Sequence, residues 1–115
     1  MGTVFRASTN ILAISGPSDL TIDVYIYDGN NIWNGYYFAA YSLQAWEDFA
    51  ITAEEQTPSG FYEAIFPNLI PAGYYFVVFK QRAGENPSPT DLTVYQGPIC
   101  WTGSSLQSTG TVLSG

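Results

Sequence analysis

Histidine is absent from this 115-residue chain, and cysteine occurs once. Without an imidazole there is no Ser-His-Asp or Cys-His relay, and most zinc and copper sites lose their usual nitrogen ligand. A single cysteine, Cys100, closes no disulfide within the chain, and it reads as a small buried hydrophobe. Positive charge is scarce: Arg6, Lys80 and Arg82 stand against ten acidic residues, for a net charge of −7. Three dispersed cations build no basic patch, which excludes a nucleic-acid backbone and an anionic membrane surface as partners. No basic-then-apolar leader is visible at the start, so no secretory signal is read there. Gly2 does not complete a myristoylation motif, because position 6 is Arg6 rather than Ser or Thr. The longest clean apolar run, residues 74–79, is far short of the roughly 20 residues a membrane helix needs.

What the chain does have is apolar and aromatic. Hydrophobic residues make up 46% and aromatics 17%, while charged residues fall to 11%, less than half the roughly 25% of an average domain. That is ample surface for one buried core. Gly, Pro, Asn and Asp punctuate the sequence at short intervals, and between them lie stretches rich in Val, Ile, Thr, Tyr and Phe. Short strands with regular turns predict a sandwich or barrel. The expected strands cover residues 3–7, continuing at 11–14, then 20–27, 32–33 with 36–40, 46–53, 61–66, 74–81 and 92–101. In the second, Leu20, Ile22, Val24 and Ile26 alternate with Thr21, Asp23, Tyr25 and Tyr27, which predicts one buried face. Asn34-Gly35 predicts a two-residue hairpin turn, and Asp28-Gly29-Asn30-Asn31 another, since it lacks the ligand spacing of a calcium loop. Residues 42–55 are the best helical candidate, although Trp46, Phe49 and Ile51 also fit a strand. Residues 1–103 read as the domain. The Ser/Thr/Gly-rich residues 104–115 read as a C-terminal arm.

Two strands are apolar on both faces. In 74–81, Tyr75, Val77 and Phe79 oppose Tyr74, Phe76 and Val78; in 61–66, Tyr62, Ala64 and Phe66 oppose Phe61 and Ile65. A sandwich strand ordinarily keeps one wet face. The second face is therefore expected to lie under a loop, the C-terminal arm or another chain, and the aromatic excess favours another chain. Phe61, Ile65, Tyr74, Phe76 and Val78 are the candidate interface.

The rhythm Gly60-Phe61-Tyr62 … Pro71-Ala72-Gly73-Tyr74-Tyr75 resembles the antiparallel pair of immunoglobulin-like and transthyretin-like sandwich modules. With Trp33-Asn34-Gly35 upstream and Cys100-Trp101-Thr102-Gly103 at the end, residues 20–103 resemble small β-rich proteins of phage and prophage structural modules. The resemblance implies an all-β fold, a single antiparallel β-sandwich of seven to eight strands, immunoglobulin-like in the broad sense. It implies a virion location and a structural role, and it carries no catalytic residue. The immunoglobulin disulfide is missing, since Cys100 stands alone.

Paired carboxylates would be needed for acid–base chemistry. Glu47-Asp48 and Glu54-Glu55 are neighbours that point to opposite faces of a strand; Asp23 is the one carboxylate placed to meet Glu63 or Asp91 in space. Lys80 beside Ser or Thr reads as the solvent end of a strand, and no glycine opens a phosphate loop. The expectation is a non-enzymatic structural or interaction subunit of a virion (tail, neck or capsid decoration), with no metal and no cofactor, whose partner is protein: itself or other virion subunits. The alternative is a carbohydrate-binding module of a larger extracellular protein, with a glycan stacked on Trp33, Tyr36, Tyr37, Tyr41 and Trp46 beside Asn30, Asn31, Asn34 and Gln44.

Overall fold

The computed structural model describes the backbone of Gly2–Phe5 together with residues 9–56 and 60–107. Within them eleven strands form: β1 (Gly2–Phe5), β2 (Ile11–Ser15), β3 (Ile22–Asp28), β4 (Asn31–Trp33), β5 (Phe38–Ala40), β6 (Ile51–Thr52), β7 (Glu54–Gln56), β8 (Phe61–Ile65), β9 (Gly73–Gln81), β10 (Leu92–Trp101) and β11 (Leu106–Gln107). The expected seven or eight become eleven because the first run divides into β1 and β2, and two short strands, β7 and β11, form where none was expected. Residues 51–56 change sheets at Ala53, Ile51–Thr52 pairing with β3 and Glu54–Gln56 with β8.

All pairings are antiparallel. One sheet runs β1-β2-β8-β7 and the other β11-β10-β9-β3-β4-β5, with β6 on the edge of β3 next to β4. The chain crosses between sheets after β2, returns between β6 and β7 at Ala53, and crosses again after β8, so β2 lies against β8 while β3 lies against β9. This is the A-B-E-D and G-F-C-C′-C″ strand order of an immunoglobulin variable-type sandwich, extended by β11.

The alternation in β3 places Ile22, Val24 and Ile26, all fully buried, between the sheets. They meet Leu12 and Ile14 from β2, Tyr62 and Ala64 from β8, and Tyr75, Val77 and Phe79 from β9. Where an antibody domain is stapled by a disulfide, this core is held by aromatic rings and their polar ends. The Tyr75 hydroxyl donates to the Pro71 carbonyl at 2.6 Å, a tyrosine corner at the turn into β9. Trp101 Nε1 donates to the Ile70 carbonyl at 2.7 Å, and its ring lies 4.6 Å from Phe66. Val77, two residues past the corner tyrosine, occupies the place of the second immunoglobulin cysteine. Tyr62 fixes the crossing after β2, donating to the Pro17 carbonyl at 2.7 Å and accepting from the Leu20 N–H at 3.0 Å.

Several local expectations shift. The turn after Asp28 is the tight one: Asp28 pairs with Asn31, and Gly29 takes φ 62°. The Asn34-Gly35 turn is longer, since pairing stops at Trp33 opposite Phe38. Asn34 Oδ1 accepts both the Tyr36 and the Tyr37 N–H at 2.9 Å, so the side chain replaces a backbone carbonyl in closing residues 34–37. Gly60 sits at φ 88° with a Cβ position that would run into the Gly16 carbonyl, so no other residue fits there. The sandwich also continues past the expected boundary at 103. Leu106 is fully buried, pairs opposite Trp101, and its N–H donates to the Thr9 carbonyl at 2.7 Å. The remainder of the expected arm, 108–115, lies outside the described residues. No helix of the described residues is long and apolar enough to cross a membrane.

Candidate functional site: the outer face of the seven-stranded sheet

Side chains on β3, β9 and β4 that point away from the core divide into a covered half and an open half. In place of a strand over 46–53, the chain makes a 3₁₀ turn at Trp46–Phe49. In that geometry residues three apart stack on one side, and both Trp46 and Phe49 are buried while Glu47 and Asp48 face solvent. The two rings roof Tyr25, Ile32 and Val78, with Trp46 stacked 4.7 Å from Tyr25 and Phe49 edge-on to Trp46 at 5.6 Å. Val78 therefore does not await another chain: its cover is a loop of its own chain.

On the same face of β3, beside Tyr25, lies the feature that sequence reasoning missed. Asp23 is fully buried on the same face. Arg82 grips it with Nε at 2.9 Å from Oδ2 and Nη2 at 2.8 Å from Oδ1, and the Thr52 hydroxyl donates to Oδ1 at 2.9 Å. The hydrogen bond to Asp23 holds the guanidinium above its ordinary pKa. Burial pushes the Tyr25 phenol up, and the charge of Asp23 adds to it. Among the described residues the buried Tyr25 hydroxyl and Trp46 Nε1 have no partner at hydrogen-bonding geometry; the indole lies near enough to favour the phenolate slightly, and burial outweighs it. Burial raises Tyr27 and Tyr75 as well. A buried aspartate in alternation with tyrosines carries no local signal, because its partner lies 59 residues away.

Open to solvent on the same face are Tyr74, 72% exposed, and Phe76, 40% exposed. A trough of about 310 Å³ runs along β9, lined by Tyr27, Gly29, Phe76, Val78, Lys80, Thr93 and Gln96. The Lys80 ammonium is fixed at one end by the carbonyls of Pro89 at 3.0 Å and Asp91 at 3.3 Å. Asp91 itself braces the loop after β9, accepting from the N–H groups of Ala83 and Ser88.

The two expected residue sets are thus both divided. Of the stacking set, Trp33 and Trp46 are core residues, whereas Tyr36, Tyr37 and Tyr41 are 83%, 62% and 56% exposed. The indoles are withdrawn because Trp33 packs edge-on to Phe38 and Trp46 roofs Tyr25. Of the interface set, Val78 is covered, while Ile65, 64% exposed, lies with half-buried Phe61 on the outer side of the other sheet, remote from Tyr74 and Phe76. Of the carboxylates expected to meet Asp23, Glu63 is kept apart on the four-stranded sheet, whereas Asp91, also buried, lies near enough for both charges to act on Arg82 and Tyr25 and is occupied by the N–H groups of Ala83 and Ser88. Comparison with known proteins finds no matching family model, no matching curated protein and no matching solved structure.

Two outcomes follow from the buried chemistry. Arg82→Met leaves an uncompensated carboxylate in the interior and should cost about 3–5 kcal/mol in urea unfolding. The double variant Asp23→Leu/Arg82→Met should recover much of that loss, and a single variant as stable as the parent would contradict the burial of Asp23. Second, phenols whose folded pKa is raised contribute stability that is whole below the unfolded value and lost as pH climbs through the folded one. The melting temperature should therefore hold to about pH 9 and fall above about pH 10. Phenolate absorbance that develops for all nine tyrosines before any unfolding would contradict it.

Proposed function

We propose that the chain is a non-enzymatic structural subunit that associates with copies of itself through the tyrosines of the turn between β4 and β5 together with Tyr41 just past β5. The observation that carries this reading is chemical. Residues 29–46 contain no charged side chain, yet Tyr36, Tyr37, Tyr41 and Leu43 are all more than half exposed there. Interface cores are rich in aromatics and poor in charge. Tyrosine gives a large amphipathic contact at a low entropic cost, and the Asn34 hydrogen bonds hold the turn in shape before any partner arrives. Residues 64–79 and 92–115 are free of charge as well, but a single tyrosine there, Tyr74, is more than half exposed, against three in 29–46. The chain carries −7, and the guanidinium of Arg82 is already held by Asp23. Two copies meet at least electrostatic cost where neither has charge.

The resemblance of the Gly-x-Tyr and Pro-Ala-Gly-x-Tyr segments to phage structural modules supports a virion as the setting, where many copies of one small sandwich pack together. The lack of histidine and the separation of Asp23 from Glu63 support a role without catalysis.

Sedimentation of the full chain tests the proposal. Association should strengthen as salt rises, because screening removes the repulsion between subunits. Replacing Tyr36, Tyr37 and Tyr41 together by Ser should weaken it at least about a hundredfold, at more than a kcal/mol for each contact side chain. A chain that is monomeric at every salt concentration, or a triple variant that associates like the parent, overturns it.

A further inference from the structure

We propose that the trough along β9 binds a carboxylated sugar, as a short acidic glycan lying lengthwise on the sheet. This site is separate from the tyrosine turn and does not rest on self-association.

Phe76 and Val78 occupy alternate positions of β9, with Tyr27 directly across from Phe76 on β3. Phe76 and Tyr27 give the floor its open aromatic face, which suits the C–H side of a pyranose ring, and Val78, 7% exposed at the margin of the roof, borders it. The opposite wall is polar and uncharged. Thr93 stands across from Lys80, and Gln96 across from Val78, on β10. A hydroxyl and a carboxamide side by side can donate to and accept from sugar hydroxyls. From Phe76 to Lys80 is four strand steps, about 13 Å, and the volume of about 310 Å³ lies at the small end of ligand sites.

Lys80 decides the ligand class. Its ammonium is tethered to two backbone carbonyls, and among the described residues no carboxylate pairs with it. Of the other cations, Arg82 is held by Asp23 and Arg6 lies outside the described residues. A cation fixed at one end of an aromatic-floored trough, in a chain of net charge −7, is where an anionic group on a ligand finds its counter-charge. Carbonyl oxygens do not neutralise an ammonium, whereas a carboxylate does. A neutral sugar would use the floor and the polar wall but leave Lys80 unused, so preference for the acid over the neutral sugar is the specific claim.

Amide NMR spectra of the full chain, titrated in parallel with digalacturonate and with the neutral digalactoside, test this. Digalacturonate should shift the amide signals of Val78, Lys80, Thr93 and Gln96 saturably, and bind about fivefold more tightly than the neutral sugar, the scale of a partly exposed ion pair. Lys80→Gln should abolish the difference between the two sugars. Phe76→Ala, at a position already partly exposed, should weaken both, and Gln96→Ala gives a second variant outside the loop that Lys80 braces. Replacing Tyr36, Tyr37 and Tyr41 should leave binding unchanged. No saturable shift with digalacturonate overturns the site. Equal affinity for the two sugars in the parent chain, or a preference that survives Lys80→Gln, overturns the carboxylate assignment.

Discussion

The buried ion pair between Asp23 and Arg82 organises the functional side of this sandwich. Two charges taken out of water contribute little net stability, since the cost of desolvation offsets their attraction. Their consequence is geometric. Arg82, just beyond the end of β9, can grip Asp23 with two nitrogens only if β3 and β9 keep the register that sets Asp23 opposite Lys80. A slip of one residue would turn Asp23 toward the apolar core and bring Val24 out. Thr52 joins the same carboxylate, so β6 is drawn to the edge of β3 at that level.

From that tie the rest of the outer face follows. Residues 41–50 must travel from β5 to β6, and both are placed on the far side of β3 from β9. The connection crosses the sheet, and its Trp46 and Phe49 come down on Tyr25, Ile32 and Val78. The roof stops there. Phe76, Tyr74 and the trough beside them stay open because no described segment covers them, and the tyrosine turn leads into β5, the terminal strand of the sheet.

Much of the frame could be read from sequence. Ile22, Val24 and Ile26 mark the inner face of β3 as the alternation predicts, whereas Leu20 precedes the strand and is only partly buried; the Pro71-Ala72-Gly73 punctuation places the turn into β9 where Tyr75 makes its corner. The two-sided apolar character of β9 is real, and its cause is a loop of the same chain over Val78, with only Tyr74 and Phe76 left uncovered. What could not be read is non-local. Asp23 looks like a wet-face residue until Arg82 arrives from far along the chain. Trp33, Trp46 and Tyr36 are alike in composition, and only packing separates core indoles from an exposed phenol. Leu106 is hidden in a Ser/Thr/Gly-rich setting, because one buried leucine has no periodicity to announce it.

The central claim is that the outer sheet face is half roofed by its own chain, and Trp46 reports on it directly. The full chain labelled with fluorotryptophan should give one fluorine resonance for each of its three tryptophans, with that of Trp46 identified by its loss in Trp46→Phe. At 3% exposure, the Trp46 resonance should not move when light water is exchanged for heavy water. A solvent-dependent shift of that resonance in the folded chain would mean the roof is absent, and the division of the face into covered and open halves would fall with it.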